Sequence, residues 1–303
     1  MSQQQTAIPA PVVAHHAPVF DLMYYVKAAV AGGLCCSVTH GAVCPIDVVK
    51  TRMQLDPQKY NKGMISAFRQ VVSTEGAGAL ATGLGATAAG YFVQGWFKFG
   101  GVEFFKVNIA HAVGERAAWE NRTGIYLASS AMAEFIADLF LCPLEAIRIR
   151  SVSDSTFPKG LGAGAARMFS TDGLLGFYAG LGPILFKQIP YTMAKFAATK
   201  GTNLSISLLS GVIAGVVAAI VSHPADTLLS KINKKGAGGS GSTTSRLFTI
   251  AREMGFAKLC LTGLPARCIM IGTLTAGQFG IFDSVMAAIG AQKFHFHNPD
   301  EKH

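Results

Sequence analysis

Charge is what this chain has least of. Asp, Glu, Lys and Arg make up 14% of its 303 residues against 50% hydrophobic, and mean hydropathy is +0.37. So little charge does not suit an ordinary soluble domain. The first 20 residues contain no Lys or Arg. Neither an Arg-rich presequence nor a secretory signal with a basic start is expected there, and residues 1–20 read as a short disordered tail. The six cysteines, at 35, 36, 44, 142, 260 and 268, lack the spacing of a zinc site. They read as small reduced packing residues, and neither a metal nor a cofactor is expected. No nucleophile–base pair and no nucleotide-binding glycine loop stands out, so an enzyme is not expected. The Gly-Ser stretch 236–245 reads as a flexible linker.

What the chain has instead is apolar length. Hydrophobic runs occupy 22–43, 84–107, 123–142, 182–200, 204–222 and 264–289. A bilayer core is crossed by about 20 apolar residues in a helix, and lipid gives an open sheet edge nothing to bond to. Six transmembrane helices follow. The net charge of +9 lies mostly in the loops after spans one, three and five: Lys59, Lys62 and Arg69, then Lys159 and Arg167, then Lys234, Lys235, Arg246 and Arg252. These loops share one side, the positive-inside asymmetry of a membrane protein. Anionic headgroups account for them, and no nucleic-acid partner is expected.

Two motifs recur in step. Cys44-Pro-Ile-Asp-Val-Val-Lys50 returns as Cys142-Pro-Leu-Glu-Ala-Ile-Arg148 and, without its base, as His223-Pro-Ala-Asp-Thr-Leu-Leu229. Each copy ends an odd-numbered span. Glycine motifs ending at Gly83, Gly180 and Gly263 precede the even spans. Self-similarity at a fixed period marks a repeat architecture. The expected fold is all-α, with three tandem helix pairs around a pseudo-threefold axis over 21–110, 122–203 and 204–290, then a C-terminal tail at 291–303. Gly32 and Cys36 give helix one a small-residue face for close packing. Pro45 should bend or end that helix.

Pro-x-[Asp/Glu]-x-x-[Lys/Arg], twice complete and a third time without its base over most of the chain, resembles the mitochondrial carrier family. Further stretches are similar to that family's phosphate carriers, the fungal ones above all: Thr39-His40, Gln94-Gly95 with Lys98-Phe-Gly100, Ala133-Glu134-Phe135 with Asp138, Lys187-Gln-Ile-Pro-Tyr191, Ser222-His-Pro-Ala-Asp226 and Met270 to Thr275. The resemblance implies import of inorganic phosphate with a proton across the mitochondrial inner membrane. It also implies both termini in the intermembrane space, short matrix-side amphipathic helices and a lipid partner such as cardiolipin. The alternatives are a carrier of another small anion or of copper, and a non-transporting membrane protein.

The charged positions inside the spans carry this expectation. An ionisable residue at mid-span costs roughly 2.5–3.5 kcal/mol to insert and marks a pathway. With the repeats in register, Glu134 stands level with Cys36 and Gly215. Glu134, Asp138 and Glu145 share one stripe of helix three. With His40, a residue type whose ordinary titration lies near neutrality, they are the proton-coupling candidates, and the resemblance implicates the His40, Glu134 and Glu145 positions. Lys98 and Lys195 take equivalent places on spans two and four, and Gln278 takes the third. These lysines, with Lys187, Tyr191, Gln94 and Arg267, are the candidate anion ligands. Asp47, Lys50, Glu145, Arg148 and Asp226 form the expected matrix gate, with Lys50–Glu145 and Arg148–Asp226 as its pairs.

The family's outer-gate motif is eroded. Glu103 and Lys106 are present on span two, Asp283 lacks its base on span six, and span four has no acid at 199–203. Lys98 precedes Pro143 by 45 residues, but Lys195 precedes Pro224 by only 29, so repeat two is 16 residues short at the end of helix four. Either a piece is missing from the sequence or the protein is a natural variant with a weakened outer gate.

Overall fold

Each motif proline lies inside a helix. Pro45 lies within α1 (Leu22–Leu55), Pro143 within α5 (Arg122–Ser153) and Pro224 within α8 (Ser207–Ile232). Pro45 therefore does not end the helix. The even-numbered spans are α3 (Leu84–Val113), α7 (Leu181–Ala198) and α9 (Leu264–Ala288). Between them run α2 (Met64–Glu75), a 3-10 turn (Ala77–Ala81), the short α4 (Glu115–Glu120) and α6 (Leu161–Tyr178). The computed structural model describes residues 20–55, 58–60, 62–154, 156–158, 160–198, 207–232, 249, 251–253, 255, 260, 264–291, 294 and 296. No strand occurs among them. The tail at 1–19, residues 199–203, the stretch 236–245 and most of the third glycine motif lie outside the described residues. So do the side chains of Asp226 and Leu229.

The six long helices close a ring. α1 packs on α3, α3 on α5, α5 on α7, α7 on α8, α8 on α9, and α9 returns to α1. Among the described residues, three helices, over Leu22–Met53, Arg122–Val152 and Arg267–Ala288, are long and apolar enough to cross a membrane on hydropathy alone. α3 is equally long but buries Lys98, Glu103 and Lys106. α7 has 18 residues where α3 has 30, a length of roughly 27 Å against 45 Å at 1.5 Å per residue.

Small residues bring the helices of a pair together. A Cβ on Gly95 of α3 would meet the carbonyl oxygen of Gly32 and the Cβ of Cys36 on α1. On α8, Gly211 and Gly215 approach the α9 backbone at Ala276 and Gly272 in the same way. Between helices in lipid, this close van der Waals contact is what holds a pair. The peripheral helices are stapled by ion pairs that repeat with the fold. Arg52, just past the first motif, meets Glu75 at the end of α2, and Arg150, just past the second, meets Asp172 in α6 at 2.6 Å. Each arginine closes the loop from its odd helix back to the glycine motif.

Overpacking such a contact costs about 1–3 kcal/mol. Gly95→Val should lower the melting temperature of the detergent-solubilised chain by several degrees, whereas Gly85→Val, with open space at its Cβ, should change it far less. Equal melting of the two variants would refute the close-approach account.

Candidate functional site

Halfway along the ring, where lipid surrounds the helices outside, a set of polar side chains turns inward. Lys98, Gln94, Glu134, Asp138, Lys195 and Gln278 are all buried. Lys98 Nζ lies 3.0 Å from Glu134 Oε1. Gln94, one turn before Lys98 on α3, donates to the same oxygen at 3.0 Å and to Asp138 Oδ1 at 3.3 Å. A single amide thus ties together two carboxylates that are one turn apart on α5. The second oxygens, Glu134 Oε2 and Asp138 Oδ2, have no hydrogen-bond partner among the described residues. Two buried carboxyls with open oxygens can hold a proton between them, or donate one when protonated.

The opposite wall carries the other lysine. Lys195 Nζ donates to Gln278 Oε1 at 2.5 Å and lies 5.0 Å and 5.1 Å from the ring centroids of Phe99 and Phe279. Gln278 Nε2 faces His40 Nε2 at 3.2 Å, and the His40 ring stacks on Tyr91 at 3.6 Å. Tyr191 shares a hydrogen bond with Thr275 at 3.2 Å, and Arg267 donates to Ser222 at 3.0 Å. His40 thus contacts Gln278 and, through it, the lysine, and it shares no hydrogen bond with Glu134 or Asp138. Helix one is flanked by α3 and α9 in the ring, so those two helices supply its closest partners.

At the motif end, Asp47, Lys50, Glu145, Arg148 and Lys187 are all half-buried. The expected Lys50–Glu145 pair is not formed. Arg148 instead grips Glu145 with two bonds, both 2.8 Å. The two residues are three apart on one helix, so they meet whether or not the odd helices converge, and the guanidinium fork fits the carboxylate. The Arg148–Asp226 pair falls on a side chain outside the described residues.

At the other end the described side chains pack closely together. Glu103 takes a 2.5 Å hydrogen bond from the Tyr24 hydroxyl and another from Lys106. Lys106 also reaches the Phe294 carbonyl at 3.4 Å, and the Phe294 N–H donates to the Tyr24 oxygen at 3.0 Å. Phe294 stacks edge-on with Phe20 and Phe296. Asp283, the third expected outer-gate residue, is buried as well. Tyr24, Tyr91, Thr275 and the residues at 294 and 296 were not legible as site residues. The phosphate-carrier motifs stop short of Phe294, and a tyrosine in an apolar span reads as packing. Gln278 did leave a signal, as the polar residue at the place held by lysine in the other repeats.

Breaking one side of a buried ion pair costs about 3–5 kcal/mol, because the remaining charge is stranded. Lys98→Met and Glu134→Gln should each lower the melting temperature strongly, and the double variant should recover much of the loss. Additive losses would mean that the two groups do not depend on each other.

Comparison with known proteins agrees with the repeat geometry. The profile of the family described as "Mitochondrial carrier protein" matches residues 22–112, 120–204 and 200–293. The chain is 48% identical over 288 residues to "Mitochondrial substrate carrier family protein N" of Dictyostelium discoideum, covering 88% of this chain and 95% of that one. It is 42% identical over 286 residues to "Phosphate carrier protein, mitochondrial" of Caenorhabditis elegans, covering 88% and 82%. "Probable mitochondrial phosphate carrier protein" of Schizosaccharomyces pombe is 39% identical over 294 residues, with 90% and 93% covered. Three matched repeats, a closed ring of six long helices and near-full-length relatives all point one way, and the chain belongs to the mitochondrial carrier family.

Proposed function

We propose that the chain carries inorganic phosphate together with a proton into the mitochondrial matrix by alternating access, with both termini in the intermembrane space. The observation that carries this reading is the pair of buried lysines, Lys98 and Lys195, facing an interior that also holds Glu134, Asp138 and His40. The relatives named as phosphate carriers support the choice of anion.

Phosphate offers acceptor oxygens, and an ammonium or an amide is a donor suited to them. Lys98 is held by Glu134 at 3.0 Å. A proton on that carboxyl neutralises the acid and leaves the ammonium charge to the anion. Proton and anion thus enter in support of each other, which is what symport needs. Lys187, Tyr191, Gln94 and Arg267 complete the anion's surroundings. The charges of Asp47, Lys50, Glu145, Arg148 and Asp226 close the matrix side when the odd helices converge. The structure corresponds in this reading to the matrix-facing state, with Tyr24, Glu103, Lys106 and Asp283 closing the outer side. A central site gated from two sides is the expected logic of a repeat-built carrier.

The test is uptake of labelled phosphate by proteoliposomes holding the full 303-residue chain, with and without an inward proton gradient. Gradient-driven uptake that falls at least tenfold in Lys98→Ala is expected. Uptake that ignores the gradient would refute proton coupling. Well-folded chain that moves no phosphate would refute the reading and favour another solute or a chain that does not transport.

A further inference from the structure

We propose that Gln278 is a positioning residue linking the two substrates: its side-chain amide turns when His40 takes a proton, and the turn releases Lys195 to the anion. The inference rests on the reading of the chain as a proton–phosphate carrier. An ammonium has donors only, so the Gln278 atom 2.5 Å from Lys195 Nζ is the amide oxygen. That settles the other end of the amide. Its nitrogen, again a donor only, lies 3.2 Å from His40 Nε2, so this ring nitrogen is the acceptor and the neutral imidazole carries its proton on Nδ1. Three groups on α7, α9 and α1 thus form a line in which the lysine dictates every orientation.

A proton taken from water onto His40 Nε2 reverses that nitrogen's role. Two donors would then face each other, and a half-turn of the amide corrects the mismatch by offering its oxygen to the ring. The same half-turn puts the amide nitrogen against Lys195, donor against donor. The ammonium then turns away from Gln278, keeping the faces of Phe99 and Phe279 beside it, and presents its hydrogens to phosphate. No bond forms or breaks except the N–H of the imidazole, and the proton returns to water on release.

The surroundings of His40 strengthen the link. Tyr91 of α3 stacks on the ring and itself feels Glu145 and Asp138 of α5 and Asp47 of α1, while the charges that weigh most on His40 are those of Lys98 on α3, Arg148 on α5, and Lys187 and Lys195 on α7. From α9 it meets Gln278, and on α1 itself Cys36 and Cys44 lie one turn to either side. The charges that weigh most on the ring are cations, so an anion arriving among them favours the protonated ring. Linkage makes the effect reciprocal: the factor by which the proton raises anion affinity is the factor by which the anion raises proton affinity.

The readout is the half-saturation concentration for phosphate in proteoliposomes, measured across neutral pH with equal pH on both sides. Phosphate's own titration contributes equally to every variant, so the difference in slope is what counts. Gln278→Met keeps the length of the side chain but cannot relay, and its slope of log half-saturation against pH should be at most about half that of the wild type. Gln278→Glu accepts from lysine and imidazolium at once, so it needs no half-turn and should flatten the slope too. It serves as the second variant if the first does not fold. A wild-type slope retained in a folded variant overturns the relay while leaving phosphate transport standing. Wild-type chain that takes up no phosphate overturns the functional reading itself, and the relay with it.

Discussion

A lysine and a glutamate paired at 3.0 Å, with side chains only 5% and 0% exposed, constrain everything else in the ring. Neither charge is tolerable at membrane depth without the other. Helices α3 and α5 must therefore meet in the register that brings Lys98 to Glu134. Gln94 and Asp138, each one turn away, make sense only in that register, since they lengthen the pair into a four-residue cluster. The glycine contacts of α3 with α1 and of α8 with α9 then bring the remaining helices near enough to close the ring.

The two ends of the ring differ in a way that bears on the cycle. At one end, apolar and aromatic packing joins a buried acid, a buried base and the residues at 294 and 296. At the other, Asp47, Lys50, Glu145 and Arg148 are half-buried, and Glu145 is satisfied within its own helix. A carboxylate already paired locally gives the odd helices less reason to converge. In the proposed alternating-access cycle, closing this end would require Glu145 to exchange Arg148 for a partner on another helix, a trade between similar ion pairs. Carriers that must open and close repeatedly need gates of that kind, in which neither state is strongly preferred.

Much of this was legible in the sequence. The three proline motifs located the odd helices, and the glycine motifs located the starts of the even ones. The repeat register placed Lys98, Lys195 and Gln278 at equivalent positions, and the structure brings Lys195 and Gln278 into contact. It also singled out Glu134 as a carboxylate in a row of small residues. What spacing along one helix does not specify is the partner on the next. Spacing suggests Lys50 as the partner of Glu145, whereas Glu145 pairs with Arg148 three residues away, and it gives no hint that His40 meets Gln278 on the adjoining helix. The contact of Tyr24 with Phe294 joins the two ends of the sequence, and no local pattern foretells a pairing at that separation.

The central claim is that the buried cations accept phosphate only as protons arrive at the acids and the histidine around them. Its most direct measurement is the number of protons taken up per phosphate bound. Calorimetric titration of the detergent-solubilised full chain, at mildly alkaline pH where inorganic phosphate is mostly the dianion, gives that number from two buffers of different ionisation heat. The account predicts a binding heat that depends on the buffer and corresponds to net proton uptake. Saturable phosphate binding with the same heat in both buffers would contradict it.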